Sequence, residues 1–339
     1  MTVSHAVPSS HAVSLFHRRD RLLMQFTGPK AAESLTGLVT NDVLALQGGD
    51  GLYACALTPK GRIIADVRII AVSGDDGAVT SLLADTNAAA GTGFAAMIRK
   101  YVNPRSAKYL DLSPSSTCLT LTGDGALALL TTLDCNAALL TPLAEGTPFT
   151  HRAIALAGVA VRIVRIPDLA ETPAFDLHVG NMDADALQQR LVDAGAVMGD
   201  MQEWHRRRVL ADRPEWGVDM DEGTLAQEAN MDALHAISYR KGCYTGQETV
   251  ARVHFRGHVN RTLRRVRYVG DSLPAVGTPL VGADDATVGD ARSSALVDGR
   301  SGVGIAMLRR AVGAGAALRW MDANGTAHEA EVIGAAADS

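Results

Sequence analysis

The sequence predicts an α+β fold that ends in a small all-β unit, and three observations carry the prediction. Short apolar runs of strand character alternate with amphipathic stretches of helical period. The strand runs meet across tight turns, which favours antiparallel pairing over a doubly wound parallel sheet. From about Leu263 the helical period disappears, and glycines punctuate short apolar runs as far as Ile333, the texture of a small barrel. A length of 339 residues accommodates two or three packed units. We divide them at residues 1–115, 116–260 and 261–339.

Taken in order, Arg21 to Phe26 reads as a strand running into Thr27-Gly28-Pro29. Proline near a helix start, followed by apolar Ala31, Ala32, Leu35, Leu38 and Val39, signals an amphipathic helix. Leu52 to Leu57 and Ile63 to Val72 are β-rich runs joined by the hairpin turn Thr58-Pro59-Lys60-Gly61. Cys118 to Thr122, then Gly123-Asp124-Gly125, then Ala126 to Leu133, repeats the strand–turn–helix order of the first unit. Both copies carry Thr-Gly before an alanine-rich helix, either an internal repeat or reuse of a common turn. Val159 to Ile166 and Phe175 to Val179 form a further strand pair. Asp185 to Ala194 is a short helix closed by Gly195.

Composition narrows the function classes. A net charge of −5 argues against a whole-surface nucleic-acid binder, which needs a basic domain. No run approaches the roughly 18 apolar residues of a membrane span, and Met1 to Arg21 lacks the apolar core of a secretory signal. Cys55, Cys118, Cys135 and Cys243 are widely spread with no Cys-x-x-Cys pair, so neither a disulfide framework nor a zinc site is expected. The reducing cytoplasm is the expected compartment.

The densest chemistry lies in Arg240-Lys241-Gly242-Cys243-Tyr244-Thr245-Gly246-Gln247-Glu248. Glycine permits positive φ and close backbone approach. Between and beside these two lie an amine, a thiol, a phenol, an amide and a carboxylate. Lys241 and Arg240 stand where cations would lower the Cys243 thiol pKa, although a buried, inert cysteine is also compatible with the sequence. After the loop, Arg252, His254, Arg256, His258, Arg261, Arg264, Arg265 and Arg267 partly alternate, as on a strand whose polar side meets solvent or an anion. Phe255 and Tyr268 are few aromatics for base stacking, so direct nucleic-acid binding is not expected.

The run Lys241 to Glu248 resembles the signature of the YgfZ-type folate-binding proteins, which include mitochondrial iron–sulfur assembly factors of eukaryotes. Supporting likeness runs through Phe26-Thr27-Gly28, Leu38 to Val43, Tyr53 to Val67, Arg208 to Gly217 and Gln227-Glu228-Ala229. It covers about Leu15 to Arg265, which leaves little room for a removable leader. The resemblance implies a GcvT-like folate-binding fold, with two α+β units around a central cavity and a C-terminal β-barrel. It implies tetrahydrofolate or a folate derivative as ligand, with iron–sulfur client or assembly proteins as partners. Asp66 would meet the folate N10 region, Asp176 in Ala174-Phe175-Asp176 would take the pterin edge, and Arg208 would lie near the folate. Lys241 and Cys243 become candidate reactive groups, with Tyr244, Gln247, Glu248 and Arg252 as further ligand contacts. The related glycine-cleavage aminomethyltransferases carry a pair of acids where this chain has Ala65-Asp66, which weighs against aminomethyl transfer. An RNA-associated role affecting tRNA modification is the remaining alternative.

Overall fold

The computed structural model describes residues 13–133, 137–298 and 300–335; Cys135 lies outside them. The first sheet is built from β2 (Arg21–Thr27), β3 (Gly51–Leu57), β4 (Ile63–Ser73), β5 (Val79–Asn87) and β6 (Lys108–Asp111). Its order is β3-β4-β5-β2-β6, and every pairing is antiparallel. The second sheet takes β1 (Ser14–His17), β7 (Ser116–Thr122), β8 (His151–Leu156), β9 (Val159–Leu169), β10 (Thr172–Gly180) and β11 (Val197–Met198) in the order β11-β1-β7-β10-β9-β8. With β1 standing where β6 stands in the first, the two orders are the same over five strands, and β11 adds a sixth beside β1. The Thr-Gly echo is therefore part of a repeated topology. Gly28 and Gly123 follow β2 and β7 with φ of 110° and 136°, a conformation that glycine adopts without strain.

Period-2 alternation assigns the two faces of each sheet. In β4, Ala65, Val67, Ile69 and Ala71 join the core beneath α1 (Ala31–Thr36) and α2 (Gly91–Tyr101). Ile70, on the other face, packs with Leu23, Leu83, Phe149 and Val164 in a cluster that spans both sheets. In the second sheet Leu119, Leu121, Ile163, Phe175 and Leu177 pack with residues of α3 (Ala126–Thr131), α4 (Ala137–Glu145) and α5 (Asn181–Asp193). The result is four layers, helices outside and two sheets back to back, with the cavity between the sheets.

The C-terminal unit is a closed barrel of β12 (Arg261–Val269), β13 (Pro279–Val281), β14 (Thr287–Asp298), β15 (Ser301–Arg309), β16 (Ala317–Met321) and β17 (Ala327–Ala335). Tyr268 and Trp320 fill its interior with rings 6.4 Å apart at 82°. α6 (Met201–Leu210) packs on β14 and β15 through Val209, Ala295 and Val303.

One local expectation is overturned. The alternating basic residues from Arg252 do not begin a strand: α7 spans Gln247–Arg256, and the strand starts at Arg261. Gly246, at φ 86°, is the N-cap of α7, and Gly257 ends it. A charge at every second residue fits a helix too when nearly all of its surface is wet, and Val250 is the buried residue of α7.

Candidate functional site

A cavity of about 460 Å³ lies between the two sheets and the segment 204–216, within the range of pockets that hold cofactor-sized molecules. Asp66 is 8% exposed, and its Oδ2 accepts from the Tyr53 hydroxyl at 2.9 Å. Its Oδ1 is buried with no hydrogen-bond partner. A buried carboxylate oxygen left unpaired loses its hydration without compensation, so this atom fits a ligand that donates N–H. Burial, reinforced by the Asp66 charge, pushes the Tyr53 hydroxyl well above its ordinary pKa, so it stays a donor.

Aromatic and cationic groups complete the wall. Tyr53 stacks on Phe149 with centroids 6.1 Å apart at 22°. The Arg18 guanidinium lies 3.6 Å above the Trp204 ring, a cation–π contact that also screens an apolar face. Nε1 of Trp204 and of Trp216 are buried donors without partners. Asn41 ties the wall together, donating to the carbonyls of Tyr53 at 2.9 Å and His235 at 2.8 Å.

Arg208 is 3% exposed and belongs to the wall. It donates to Asp219 at 2.7 Å and to the Ser293 hydroxyl of the barrel at 2.7 Å, and it pairs with Glu215 at 2.7 Å. Arg206 and Arg207, its neighbours on α6, instead pair with Glu203. Asp176 is buried away from the cavity wall. Thr120 donates to its Oδ1 at 2.5 Å and Arg68 to its Oδ2 at 2.5 Å, so both oxygens are occupied by protein donors.

The Lys241–Glu248 loop also lies outside the cavity wall. The buried Lys241 ammonium donates to the carbonyls of Thr36 and, at 2.7 Å, of Val39, at the C-terminal end of α1. Cations are favoured at that end of a helix. Burial pulls the Lys241 pKa down to about 8. The Thr245 N–H donates to Gly37, and Gly246 packs on the hairpin turn, where an added Cβ would sit 2.7 Å from the Thr58 carbonyl oxygen. Lys241 thus anchors the loop to the first unit. Tyr244 is buried among Leu57, Met220 and Met307, whereas Cys243, Glu248 and Arg252 are exposed. The Gln247 side chain accepts from the Tyr244 N–H at 3.4 Å, closing the turn.

The structure therefore brings Asp66 and Arg208 to one cavity and gathers Lys241, Cys243, Tyr244, Gln247, Glu248 and Arg252 on an adjacent latched loop and helix. Tyr53, Arg213 and Trp216 fall in segments that carried the family resemblance, but neither they nor Trp204 were singled out as site residues from the sequence; only the aromatic ones were rare enough to attract notice. Among the described residues, no group of three His, Cys, Asp or Glu side chains is placed to hold a metal ion. No helix among them is long and apolar enough to cross a membrane.

Known proteins resemble the chain along most of its length. An iron–sulfur cluster assembly factor IBA57 homolog, mitochondrial, of Neurospora crassa is 27% identical over 262 residues, 76% of this chain and 54% of that protein. Mitochondrial IBA57 of Homo sapiens is 37% identical over 119 residues, 34% of this chain and 32% of its own length. The alignments thus span about half of the first relative and a third of the second. The tRNA-modifying protein YgfZ of Klebsiella pneumoniae is 26% identical over 278 residues, 80% of this chain and 78% of that protein. In fold, the chain superimposes on the glycine cleavage system aminomethyltransferase T of Bartonella henselae with a TM-score of 0.81, at 17% identity, over 96% of this chain and 86% of that one. The family model described as the GCVT N-terminal domain matches residues 9–238, more than half of the 339, and the chain belongs to that family.

Proposed function

We propose that this protein binds a tetrahydrofolate in the central cavity and assists the assembly or repair of iron–sulfur proteins, with Cys243 presented on the adjoining loop. The observation that carries the folate reading is the unpartnered Asp66 Oδ1 in an aromatic and cationic wall. A carboxylate accepts paired N–H donors of the kind a reduced pterin offers. Asp66 and Tyr53 would hold the folate, which when bound supplies a one-carbon carrier, while Arg208, its N–H groups already committed to protein acceptors, shapes the wall beside it. The relatives named as iron–sulfur assembly factors support the second half of the proposal. Cys243 is exposed, while Cys55 and Cys118 are buried, so its thiol can reach a partner. Free rather than bridged thiols at these three positions suit a reducing compartment, the cytoplasm.

Two alternatives receive less support. Ala65 is fully buried under the helices, so β4 turns one acid, Asp66, toward the cavity, against aminomethyl transfer with a pair of acids. The basic run is largely neutralised where it enters the barrel: Arg261 pairs with Glu228, Arg265 with Asp212 and Arg267 with Glu331. An effect on tRNA would then pass through iron–sulfur client enzymes rather than through RNA held on this face. Calorimetric titration with 5-formyltetrahydrofolate tests the proposal. Saturable binding, weakened about tenfold or more in Asp66→Asn and unchanged in Cys243→Ala, supports it. Absence of binding to the unmodified protein refutes the folate half.

A further inference from the structure

Five arginines line the cavity: Arg18, Arg21, Arg68, Arg208 and Arg213. Four are already neutralised. Arg18 grips Asp20 through Nε at 2.8 Å and Nη2 at 2.6 Å, and Arg21 holds Asp85 at 2.8 Å. Arg68 bridges Asp85 at 3.3 Å and Asp176 at 2.5 Å, and Arg208 holds Asp219 and Glu215. Arg213 is different. Its guanidinium makes no ion pair or side-chain hydrogen bond with any described residue, and its Nε is buried without a partner. The nearest acids serve others: Asp212 pairs with Arg265 at 2.7 Å and Asp168 with Arg165 at 3.0 Å. Burial, with no counter-ion in contact, draws the Arg213 pKa below the ordinary guanidinium value.

The side chain is also mounted on a fixed backbone. The Arg213 N–H donates to the Arg208 carbonyl at 2.9 Å, and Arg208 Nη1 returns a bond to the Arg213 carbonyl at 3.0 Å. Asp212 before it is held at φ 53°, and Pro214 after it restricts its backbone. A half-buried guanidinium held ready without an anion is a binding group awaiting one.

We propose that Arg213 receives a carboxylate on the tail of the cavity ligand, the glutamyl group of a folate; this rests on the folate reading of the cavity. The wall offers one unneutralised cation, which can meet one of the two carboxylates of a glutamyl group. A guanidinium fork meets a carboxylate through two parallel N–H bonds. Asp66 and Arg213 together leave the cavity one spare acceptor and one spare cation, complementary to a molecule with a donor-rich ring and an acid tail.

The test compares 5-formyltetrahydrofolate with 5-formyltetrahydropteroate, which lacks the glutamyl group, on the full chain by calorimetry. The unmodified protein should bind the glutamylated ligand on the order of tenfold to a hundredfold more tightly. Arg213→Met, which keeps the apolar stem, should lose that preference while holding the pteroate at its original affinity, and Arg213→Lys should recover part of it. A preference that survives in Arg213→Met overturns the assignment and leaves folate binding standing, as does a parent protein that binds both ligands equally. A parent that binds neither overturns the folate reading and the assignment with it. Arg213→Gln carries the same comparison should the methionine variant fail to fold.

Discussion

Acid is expected to weaken the seam between the two sheets at His151. This residue opens β8, is 2% exposed, and reaches from the second sheet to the Ala71 carbonyl of β4 through Nε2 at 2.9 Å. A carbonyl can only accept, so Nε2 carries the proton and Nδ1 accepts from Arg162 Nη1 at 2.9 Å. Burial, and then the Arg162 charge, lower the His151 pKa from 6.5 to about 4. Because the folded pKa lies below the unfolded one, the unfolded chain takes up the proton first as the pH falls. Stability present above pH 6.5 is therefore lost progressively down to about pH 4. At about 1.4 kcal/mol for each tenfold change in proton affinity, the loss from this residue is about 3 kcal/mol. His151→Gln can donate to Ala71 and accept from Arg162 without titrating. Urea unfolding between pH 7 and pH 4 should show the parent losing about 3 kcal/mol more than the variant. Curves for the two proteins that stay parallel to within about 0.5 kcal/mol would refute the reasoning. The segment just before His151 carries Pro148 and Phe149 into the cavity wall, but the folded state keeps His151 neutral down to about pH 4, so folate affinity of the folded protein should not fall through this residue over the same interval.

Three other expectations follow from particular contacts. Asp176→Asn removes one arm of a buried bridge and should cost about 3 kcal/mol in urea unfolding with folate affinity nearly unchanged; loss of affinity at full stability would instead restore the pterin-ligand role that the family resemblance implied. Gly246→Ala forces a side chain at φ 86° against the Thr58 carbonyl and should destabilise by about 1–3 kcal/mol. Gly242→Ala, with open space around it, should stay within about 0.5 kcal/mol; equal effects at the two glycines would contradict the packing of the loop. Iodoacetamide followed by peptide mapping should label Cys243 in the native protein well before Cys55 and Cys118, whose burial blocks access and raises their thiol pKa. Labelling of Cys118 at the rate of Cys243 would count against the second sheet as described.

Much of the architecture was legible before the structure. The β-rich run Ile63 to Val72, the hairpin turn at Thr58–Gly61 and the Thr-Gly steps at Gly28 and Gly123 are statements about residues a few positions apart, and each is realised. The same range explains the error at Arg252 to Arg256, where alternating charge suited a wet helix as well as a strand. The site needed more. Arg206, Arg207 and Arg208 are equivalent in sequence; Arg208 is the one buried because that side of α6 meets Ser293 and Asp219. Lys241 stands where it could activate Cys243, yet its ammonium is committed to carbonyls some 200 positions earlier. Asp176 falls within a matching motif, but the first sheet brings Arg68 onto it. By itself the sequence determined strand and helix periods, turn chemistry, the barrel and a loop rich in functional groups, because these depend on neighbours along the chain. Tertiary structure alone decided which carboxylate keeps a free oxygen and which guanidinium keeps a free charge, since partners such as Asn41 and His235, 194 residues apart, meet only when the chain before the Lys241 loop packs back onto the first unit.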